Sequence, residues 1–340
     1  MDKLSEDPNT NDVLKEKRGY YFEAYSEVYV HEGMLRDRVR TMAYKRAIEM
    51  NKHLFKDKIV MDVGCGTGIL SMFAASAGAK TVIGVDCSEI ARTAVKIVRA
   101  NKFDNIHILN SKVEEIDQLP DGIEKIDIIV SEWMGVCLFH ESMLSTVVYA
   151  RERWLKPDGL IFPDRVVLYL AAITHKDTAE RRIQGWDSRY GFKMSALKKI
   201  AHVEASTETV DDSEVVTDYA KVKEMDLMTC SSDFSFETPF TLTVNRQDYI
   251  HAFVTYFDAI FKQCHFPFVL STAPSLTPTH WRQTVFYTDR TLHMQEGEQI
   301  GGVFALQKSK NNFRDLAIKM EVDTWGAYCK ENFTNNFVLR

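Results

Sequence analysis

The stretch "KIVMDVGCGTGIL", Lys58 to Leu70, indicates how the first part of this chain folds. It opens on a short apolar run that is typical of a strand buried on both faces. Three glycines follow, Gly64, Gly66 and Gly68, and an apolar helical pattern begins after them. A strand that passes through a glycine loop into a helix starts a βαβ unit. The glycines bring bare backbone to the carboxyl end of that strand, where open α/β sheets bind ligands.

The same rhythm continues to about Val130. The further strand-like runs are "KTVIGVD", "NIHIL" and "KIDIIVSE", and the proline-free helical stretches are "GILSMFAASAG" and "SEIARTAVKIVRANK". Buried strands that alternate with helices of this length predict a parallel sheet. We therefore predict a Rossmann-like α/β domain over residues 20–162. Residues 1–19 are polar and mixed in charge, which predicts a loose, flexible tail and not a secretory signal.

The pattern changes after "LKPDGLIFPDR", Leu155 to Arg165. The runs "VVLYLAAI", "FSFETPFTLTV", "YIHAFVTYF", "QTVFYT" and "IGGVFALQ" are typical of strands separated by turns. They predict a β-sandwich or a β-barrel-like domain over residues 163–340, so the fold class is α/β plus β. One polar, helical stretch at about 174–199 interrupts this series and contains Trp186 and Tyr190. We interpret it as an inserted helical arm whose aromatic side chains need a partner surface.

Composition excludes several classes of protein. No apolar run reaches the roughly 18 residues that a membrane span needs, so we expect no membrane partner. The six cysteines are scattered without a CxxC pair, which argues against a disulfide framework or a zinc site and predicts a cytosolic or nuclear protein with no metal. The formal net charge of −6 fits a basic protein partner better than direct nucleic-acid binding.

The acids around the glycine loop favour a cofactor site. Asp62 precedes the loop, and Asp86 ends the next strand 22 residues after Gly64, where a carboxylate can accept both hydroxyls of a ribose. The spacing is GxGxG, whereas dinucleotide-binding folds use GxGxxG. A nicotinamide dehydrogenase therefore remains a weaker alternative, and a plain tight turn with a solvated aspartate is the alternative without function.

A second candidate site lies in "SEWMGVCLFHES", Ser131 to Ser142, where two glutamates bracket an apolar stretch. Eight residues separate Glu132 from Glu141, and Gly135 among them allows a hairpin-like loop on which both acids converge. Buried carboxylates need a cation or hydrogen-bond donors, and a planar guanidinium matches them bidentately. The alternatives are that a glutamate pairs with an arginine of this same chain, or that one of the acids is exposed.

Several ordered motifs together resemble the protein arginine N-methyltransferase family, and most of all its type I enzymes. They are "YYFEAY" (Tyr20 to Tyr25), "VGCGTG", "KVEEI", "SEWMG…ESML" and "THW" (Thr279 to Trp281). The resemblance covers nearly the whole chain from Tyr20 onward. It implies a transferase that moves a methyl group from S-adenosylmethionine (SAM) to the terminal guanidino nitrogen of arginine in proteins.

The resemblance also implies roles for individual residues. Glu132 and Glu141 would hold the substrate guanidinium, and His280 would pair with Asp37. Arg40 would bind the methionine carboxylate of SAM, Asp86 the ribose and Glu114 the adenine. Substrate contacts are implied for Trp133, Met134 and Trp281. The full set implied for cofactor binding is Tyr21, Phe22, Tyr25, His31, Met34, Arg40, Asp62, Gly64, Gly66, Gly68, Asp86, Glu114 and Met143.

The chemistry explains why such an enzyme needs two acids. A guanidinium stays protonated at neutral pH, and SAM is itself a sulfonium cation, so donor and acceptor repel each other. Two carboxylates offset that repulsion and orient one nitrogen for in-line transfer. Met34 and Met143 resemble the methionines that flank the reacting nitrogen, which favours asymmetric dimethylation over the symmetric product.

Three positions depart from the family pattern. Val136 and His140 stand where tyrosines are usual, and Asp86 stands where glutamate is usual. The missing tyrosines remove hydroxyl donors and aromatic surface near the substrate, so we expect an altered peptide preference or rate. His140 would make activity depend on pH near its unperturbed pKa of about 6.5.

The partners follow from the same resemblance. The arm predicts a head-to-tail homodimer, with larger oligomers left open. We expect Gly/Arg-rich RNA-binding proteins and histone tails as substrates, in the cytoplasm and the nucleus. Two rival classes remain: a catalytically silent subunit that supports a partner enzyme, and a methyltransferase for small molecules.

Overall fold

The structure is a computed structural model that describes residues 27–309, 312 and 315–340. The predicted tail, and the cofactor contacts predicted for Tyr21, Phe22 and Tyr25, lie outside these residues. Contacts divide the chain into two compact units. The first contains the described residues 27–133, together with Ser145–Pro163 and Phe261–Phe268. The second contains Met134–Leu144, Asp164–Ile260 and Val269–Arg340. The domain limits predicted from the sequence stay a prediction.

The first unit is built on a parallel sheet, as predicted. Its strands are β1 (Ile59–Val63), β2 (Thr81–Asp86), β3 (Ile106–Asn110), β4 (Ile126–Val130) and β5 (Leu155–Phe162), in the order β3-β2-β1-β4-β5. Its helices are α1 (Val28–Arg36), α2 (Arg38–Met50), α3 (Lys52–Phe55), α4 (Ile69–Ser76), α5 (Ile90–Ala100) and α6 (Leu144–Trp154). Short 3₁₀ turns occur at Val113–Glu115 and Pro120–Gly122.

Burial of apolar side chains explains why these segments fold as they do. Strand β1 is almost entirely buried, which matches its unbroken apolar run. Helix α5 buries one stripe, formed by Ile90, Ala91, Ala94 and Val98, and exposes its charged residues. Full burial of each valine or isoleucine contributes about 1.5–3 kcal/mol relative to exposure, so packing of this stripe holds the helix on the sheet.

The strand order places the predicted motifs at one edge of the sheet. Strand β1 lies between β2 and β4. From β1 the sheet grows first to one side, through β2 and β3, and then to the other, through β4 and β5. This change of side leaves a crevice at the carboxyl ends of the strands. The glycine loop follows β1, Asp86 ends β2 and Ser131 follows β4. Segments far apart in sequence therefore meet beside one another within this unit.

The second unit is mainly antiparallel β-structure, again as predicted. Its six-stranded sheet contains β7-β12-β10-β6-β8, with β11 paired to β10, and its four-stranded sheet has the order β15-β14-β13-β9. The strands are β6 (Arg165–Ile173), β7 (Ser206–Glu208), β8 (Ala220–Asp226), β9 (Phe236–Thr243), β10 (Asp248–Phe261), β11 (Phe268–Ser271), β12 (Gln283–Met294), β13 (Gln299–Lys308), β14 (Leu316–Thr324) and β15 (Asn332–Leu339). A 3₁₀ turn at Asp212–Glu214 precedes β8.

Aromatic side chains join the two sheets of the second unit. The ring of Phe286 on β12 lies 5.9 Å from that of Phe304 on β13 and 5.2 Å from that of Phe337 on β15, measured between centroids. All three rings are buried. Inward-facing residues of both sheets therefore share one core, which is how a sandwich or barrel of strands is held together.

The insertion predicted at 174–199 is helical and extends a little farther. It contains α7 (Lys176–Arg182), a 3₁₀ turn at Gln184–Trp186 and α8 (Ala196–Val203). Its apolar side chains are largely exposed, and Tyr190 is 97% exposed. Across the residues that the structure describes, no helix is both long and apolar enough to span a membrane.

Candidate active site

The glycine loop folds back onto the neighbouring strand. Gly64, Gly66 and Gly68 have φ values of 73°, 52° and 83°, a region that side chains other than glycine rarely adopt. The Gly64 N–H donates to the carbonyl oxygen of Val85 at 2.8 Å, and the Gly66 N–H donates to Oδ2 of Asp86, also at 2.8 Å. The loop after β1 is thus fixed to the end of β2.

Gly66 is also the point at which helix α1 approaches the loop. A Cβ on Gly66 would lie 3.3 Å from both Cε1 and Nδ1 of His31. His31 is the buried residue of α1. The family resemblance implies a cofactor site that includes both His31 and Gly66, and the structure places the two residues close together.

Asp62 is a fully buried carboxyl group at the end of β1. Its Oδ2 accepts a 2.6 Å hydrogen bond from the Ser71 hydroxyl, whereas Oδ1 has no hydrogen-bond partner among the described residues. Burial raises the pKa of Asp62 from 3.8 to about 7, although the Ser71 hydrogen bonds act in the opposite direction. A buried acceptor without a partner at this edge is suited to receive a donor from a ligand.

The acids predicted to bind ribose and adenine lie farther along the same edge. Oδ1 of Asp86 accepts hydrogen bonds from the backbone N–H and the hydroxyl of Ser88, at 2.9 and 2.6 Å. Glu114, in the 3₁₀ turn after β3, accepts a 2.8 Å hydrogen bond from the Thr146 hydroxyl. Each carboxylate oxygen has two lone-pair sites, so both acids keep capacity for a further donor.

Arg40 and Glu132 form an ion pair at the end of β4. Nε and Nη2 of Arg40 both donate to Oε2 of Glu132, at 3.1 and 2.7 Å. Both side chains are about 8% exposed. Burial alone would lower the pKa of Arg40, but the charge and the hydrogen bonds of Glu132 raise it overall. For Glu132 the structure therefore shows the alternative in which an arginine of the same chain is its partner.

Two neighbouring segments hold this pair in place. The carboxylate of Asp37 caps helix α2 by accepting from the Arg40 N–H at 2.9 Å, and the Met34 carbonyl oxygen accepts from Arg40 Nη1 at 3.3 Å. The buried Tyr44 hydroxyl donates to the Ser131 carbonyl oxygen at 3.0 Å. The Ser131 hydroxyl in turn donates to the Val63 carbonyl oxygen at 2.8 Å, so the residue before Glu132 is tied to β1.

In the second unit, residues 134–144 form the hairpin-like loop that the sequence predicted. The Gly135 N–H donates to the Leu138 carbonyl oxygen at 3.0 Å, and the His140 N–H donates to that of Val136 at 2.9 Å. Cys137, Leu138 and Glu141 all have positive φ, between 50° and 67°. A Cβ on Gly135 would lie only 1.7 Å from the His140 carbonyl oxygen, so this turn requires glycine.

Side chains of the second unit contact this loop and support it. Trp281 Nε1 donates to the Met134 carbonyl oxygen at 3.1 Å, and the Phe139 ring stacks on Phe234 with a centroid distance of 4.7 Å. Cys137 Sγ lies 3.4 Å from the Thr255 hydroxyl. Glu141 is exposed and Met143 is half-buried. The loop therefore has a buried apolar base, and Glu141, the second of the two predicted glutamates, is exposed on it.

His140 takes the place of a family tyrosine at the end of this loop. It is buried, and its burial lowers its pKa below the ordinary value, partly offset by the charge of Asp315. The sequence predicted a titration near pH 6.5; the structure moves the expected titration to lower pH.

The remaining predicted site residues are distributed over both units. Trp133, in the first unit, and Trp281, in the second, are both buried. The ring of His280 lies 4.0 Å from that of Trp281. Asp37 belongs to the first unit and His280 to the second, so their pairing stays a prediction. The pairing of Glu132 with Glu141 across the same division also stays a prediction.

Several supporting residues were not found from the sequence. Ser71, Tyr44, Ser131 and Thr146 all make hydrogen bonds to a predicted site residue or to its neighbour. Isolated serines, threonines and tyrosines carry no pattern of their own. The one available signal was position, since Ser131 directly precedes Glu132.

The parallel sheet and the glycine loop after β1 define the first unit as a Rossmann-like α/β domain. Residues 60–159 match the family model described as a methyltransferase domain. Residues 164–326 match the model described as the arginine methyltransferase oligomerization subdomain. The two models together cover most of the chain.

Relatives across nearly the full length carry one family name. Protein arginine N-methyltransferase 1 of Caenorhabditis elegans is 48% identical over 324 residues, which is 95% of this chain and 93% of that protein. The protein of the same name from Schizosaccharomyces pombe is 50% identical over 303 residues, or 88% of each chain. This chain belongs to the protein arginine N-methyltransferase family.

Solved structures agree with this assignment. The Trypanosoma brucei PRMT1 enzyme–prozyme heterotetrameric complex with AdoHcy has a chain that is 43% identical, with a TM-score of 0.90, over 93% of this chain and all of that chain. Arabidopsis thaliana protein arginine methyltransferase 10, solved in an open conformation, is 33% identical with a TM-score of 0.85, over 94% of this chain and 99% of that chain. The predicted activity, methylation of arginine with SAM as methyl donor, and the predicted capacity to oligomerise are thereby confirmed.

The residues of the first unit fit SAM. Three glycines at positive φ leave the loop backbone bare for a ligand. The carboxylates of Asp86 and Glu114 supply acceptors for hydroxyl and amino groups, and the guanidinium of Arg40 supplies donors for a carboxylate. The buried Oδ1 of Asp62, which lacks a partner among the described residues, agrees with a ligand at this edge of the sheet.

Proposed function

We propose that this enzyme is of type I and converts protein arginine to monomethylarginine and then to asymmetric dimethylarginine. Glu132 and Glu141 hold the substrate guanidinium, and Met34 and Met143 flank the reacting nitrogen. Methionine is slender and flexible, so a nitrogen that already carries one methyl group can return to the same position. The second methyl group then goes to that nitrogen and not to its partner.

One observation carries the proposed role of Glu132. Its side chain is nearly buried at the carboxyl end of β4, and β4 is paired with β1, from which the glycine loop extends. A fixed anion beside the cofactor loop is the arrangement that lets a cationic acceptor approach a cationic methyl donor. At 4 Å two unit charges repel each other by about 4 kcal/mol at an effective dielectric constant of 20, and a carboxylate at similar range offsets that repulsion.

Arg40 acts in this proposal as a positioning residue for Glu132 and as a ligand for SAM. A guanidinium has five N–H donors, and two of them engage Glu132. A third donates to the Met34 carbonyl oxygen, and the two that remain suit the methionine carboxylate of SAM. Because the two Glu132 hydrogen bonds converge on Oε2, the substrate guanidinium is proposed to engage the carboxylate through Oε1.

The other first-unit residues are proposed to bind SAM by the chemistry each offers. Asp86 accepts the ribose hydroxyls, Glu114 accepts the adenine amino group, and His31 closes over Gly66. SAM supplies an electrophilic methyl group on its sulfonium. The proton leaves the substrate nitrogen late in the transfer, toward Glu141 or toward a pair formed by His280 and Asp37.

The proposed assembly is a head-to-tail homodimer in which the arm of one subunit docks on the other. The support is the row of exposed apolar side chains on the arm. Isolated exposed apolar residues are normal, but a contiguous set marks an interaction surface. The exposed residues are Tyr190, Phe192, Met194, Leu197, Ile200 and Val203.

Gly/Arg-rich proteins and histone tails are the proposed substrates, in the cytoplasm and the nucleus. A formal net charge of −6 favours encounter with basic polypeptides. The scattered cysteines fit a reducing compartment.

Incubation with labelled SAM and an arginine-rich peptide tests this function. After hydrolysis, chromatography should identify monomethylarginine and asymmetric dimethylarginine. Glu141→Gln should retain SAM binding and lose methyl transfer, whereas Glu152→Gln, an exposed glutamate on α6, should behave as wild type. Symmetric dimethylarginine as product, or near-normal transfer by Glu141→Gln, would refute the proposal.

Sedimentation tests the dimer. Tyr190→Ala/Phe192→Ala should shift the protein toward monomer, and Leu276→Ala, which removes an exposed apolar side chain elsewhere, should not. A double variant that remains fully dimeric and active would contradict the arm's proposed role.

A further inference from the structure

Three aromatic rings form a row on the surface of the second unit. The rings of Tyr249 on β10 and His293 on β12 are nearly parallel, with an interplanar angle of 19° and centroids 4.7 Å apart. The ring of Tyr328, in the turn between β14 and β15, follows at 5.5 Å from His293 and 25°. We call these three residues the aromatic row. Trp325 lies on the same turn as Tyr328.

The two outer rings of the aromatic row are exposed, and the ring of His293 between them is half-buried. Tyr249 is 53% exposed, Tyr328 is 71% exposed and Trp325 is 65% exposed. Single exposed aromatic residues need no explanation, but a stacked set from three separate segments is an apolar patch, and such patches mark interaction sites. Its flat faces are suited to stack on another planar group.

Hydrogen bonds hold the row in its arrangement. The Glu298 carboxylate accepts from the Ala327 N–H through Oε1 at 2.6 Å and from the Gln295 N–H through Oε2 at 2.8 Å. It thereby joins the turn that carries Tyr328 to the hairpin that follows His293. Gln247 Nε2 lies 3.3 Å from His293 Nε2. A surface that is already ordered loses little conformational entropy when it binds a partner.

The charge around the row selects the kind of partner. The three segments that carry its rings and Trp325 are 247–249, 293–298 and 323–330. They contain four acids, Asp248, Glu296, Glu298 and Asp323, and one basic residue, Lys330. Asp248 is paired with Arg246, and the other three acids outnumber the single lysine. Nucleic acids bind exposed aromatic residues within basic surroundings, so this acidic setting favours a cationic polypeptide.

We propose that the aromatic row is a docking site for arginine residues of the substrate protein other than the one being methylated. The guanidinium group is planar, remains charged and stacks on aromatic faces, which lysine does less well. This inference rests on the proposed function, since it takes arginine-rich proteins as substrates. Contact at a second site raises the effective concentration of the target arginine at the catalytic site.

Kinetics with two peptides test the site. The first peptide has one target arginine, and the second has the same target followed, after a glycine linker of variable length, by four arginines. In Tyr249→Ser/Tyr328→Ser, KM for the long peptide should rise about tenfold, as expected for loss of two exposed cation–π contacts. The kcat for both peptides and KM for the short peptide should not change.

Two control variants separate ring stacking from other effects. Tyr249→Phe/Tyr328→Phe keeps both aromatic faces and should retain the wild-type KM for the long peptide. Phe266→Ala removes an exposed ring of the first unit and should also leave it unchanged. Equal KM values of wild type and the Ser double variant for the long peptide, at every linker length, would overturn the proposal. An equal rise of KM for both peptides would also overturn it, because the row would then act through the catalytic site.

A binding measurement keeps this test independent of catalysis. Fluorescence anisotropy with the labelled four-arginine segment alone should show weaker binding to the Ser double variant, even if the wild-type enzyme methylates neither peptide. If the wild-type enzyme methylates neither peptide but the binding difference is observed, the proposed function is refuted and the docking proposal is supported. Tighter binding of a labelled single-stranded RNA than of the peptide would overturn the docking proposal.

Discussion

Arg40 and Glu132, 92 positions apart in sequence, share two hydrogen bonds to a single carboxylate oxygen. The resemblance had given these residues separate tasks, one toward the cofactor and one toward the substrate. Their ion pair links the two proposed tasks, because the orientation of the acid proposed to hold the substrate depends on the arginine proposed to bind the cofactor. Loss of one partner from a nearly buried pair leaves the other charge without compensation.

Arg40→Lys should weaken SAM binding and lower kcat together. Lysine offers a point charge on a flexible stem and cannot reproduce the two donors that converge on Glu132. Loss of one charge-assisted hydrogen bond, at about 1.5–3 kcal/mol, corresponds to a rise of about 10–100-fold in the Kd for SAM. Isothermal titration calorimetry measures this Kd. Arg46→Lys makes the same change at an exposed position of the same helix and should have no effect; equal behaviour of the two variants would contradict the assignment.

Gly66→Ala should abolish SAM binding without unfolding the protein. The added Cβ meets the His31 ring at 3.3 Å, and the backbone is at φ +52°, so both crowding and strain act at one position. Gly122→Ala separates the two causes, since Gly122 has φ +70° with nothing within 4 Å of an added Cβ. It should lower stability by about 1 kcal/mol and leave the Kd for SAM unchanged. If Gly66→Ala bound SAM normally, the loop would not be the cofactor site.

Asp62 should make the free energy of unfolding fall as pH rises from 3.8 through about 7. Its folded pKa of about 7 lies above the unfolded value of 3.8, so the folded state holds the proton more tightly. This contribution is fully present below pH 3.8 and is lost as pH rises through about 7. The full difference corresponds to about 4 kcal/mol. Denaturant unfolding of the SAM-free protein between pH 5 and pH 8.5 measures this slope, and Asp62→Asn should flatten it.

Asp127→Asn serves as the control of opposite sign. Burial would raise the pKa of Asp127, but hydrogen bonds from the Ile59 N–H and the Lys156 ammonium lower it overall. Its contribution is therefore present at neutral pH and lost in acid. The Asp127→Asn variant should be destabilised at pH 7 and should keep the neutral-pH slope of the wild type. A slope that Asp62→Asn leaves unchanged would mean that Asp62 is already ionised at pH 5.

The fold was predictable where the residues of a segment indicate its secondary structure by themselves. It was less predictable where a segment becomes a strand only by pairing with a neighbouring strand. Strand β1 has an unbroken apolar run, so its sequence alone indicates a buried strand. Strand β8, "AKVKEMD", is half charged, and it becomes a strand because it pairs with β6. Strand β5, "LKPDGLIF", contains a proline and a glycine and is not among the strand-like runs of the sequence, yet it completes the parallel sheet beside β4. In both strands tertiary contacts override local propensity.

The site shows the same limit. Glycines and acids with fixed spacing were visible in sequence, because the spacing itself reflects the strand–loop–helix geometry. The supports were not visible, because their partners are distant: Tyr44 reaches a carbonyl oxygen 87 residues away, and Ser131 one that is 68 residues away. His140 was visible as a departure from the family pattern. The direction in which its pKa shifts depends on its burial, which only the folded chain shows.

His140 should produce a step in activity below pH 6.5. Its pKa is lowered by burial, so the folded state holds the neutral imidazole. The associated stability is present above pH 6.5, the unfolded value, and is lost as pH falls through the lower folded pKa. Protonation in the buried base of the loop would loosen it and slow transfer. A peptide-methylation profile from pH 5 to pH 8 should show this step in wild type and lose it in His140→Gln; a step above pH 6.5 that remains in His140→Gln would contradict this assignment.

Gly135→Ala should separate cofactor binding from methyl transfer. The new Cβ would lie 1.7 Å from the His140 carbonyl oxygen, so the hairpin-like loop must open and Glu141 must move. The glycine loop and Arg40 belong to the other unit, so the Kd for SAM should remain within about twofold of wild type. The kcat should fall by about 100-fold, which is a typical consequence of a misplacement of about 1 Å at a reacting group. Gly297→Ala provides the matched control, a glycine at φ +80° with open space around it, and should keep full activity; Gly135→Ala with wild-type kcat would show that the loop geometry does not position the second glutamate for catalysis.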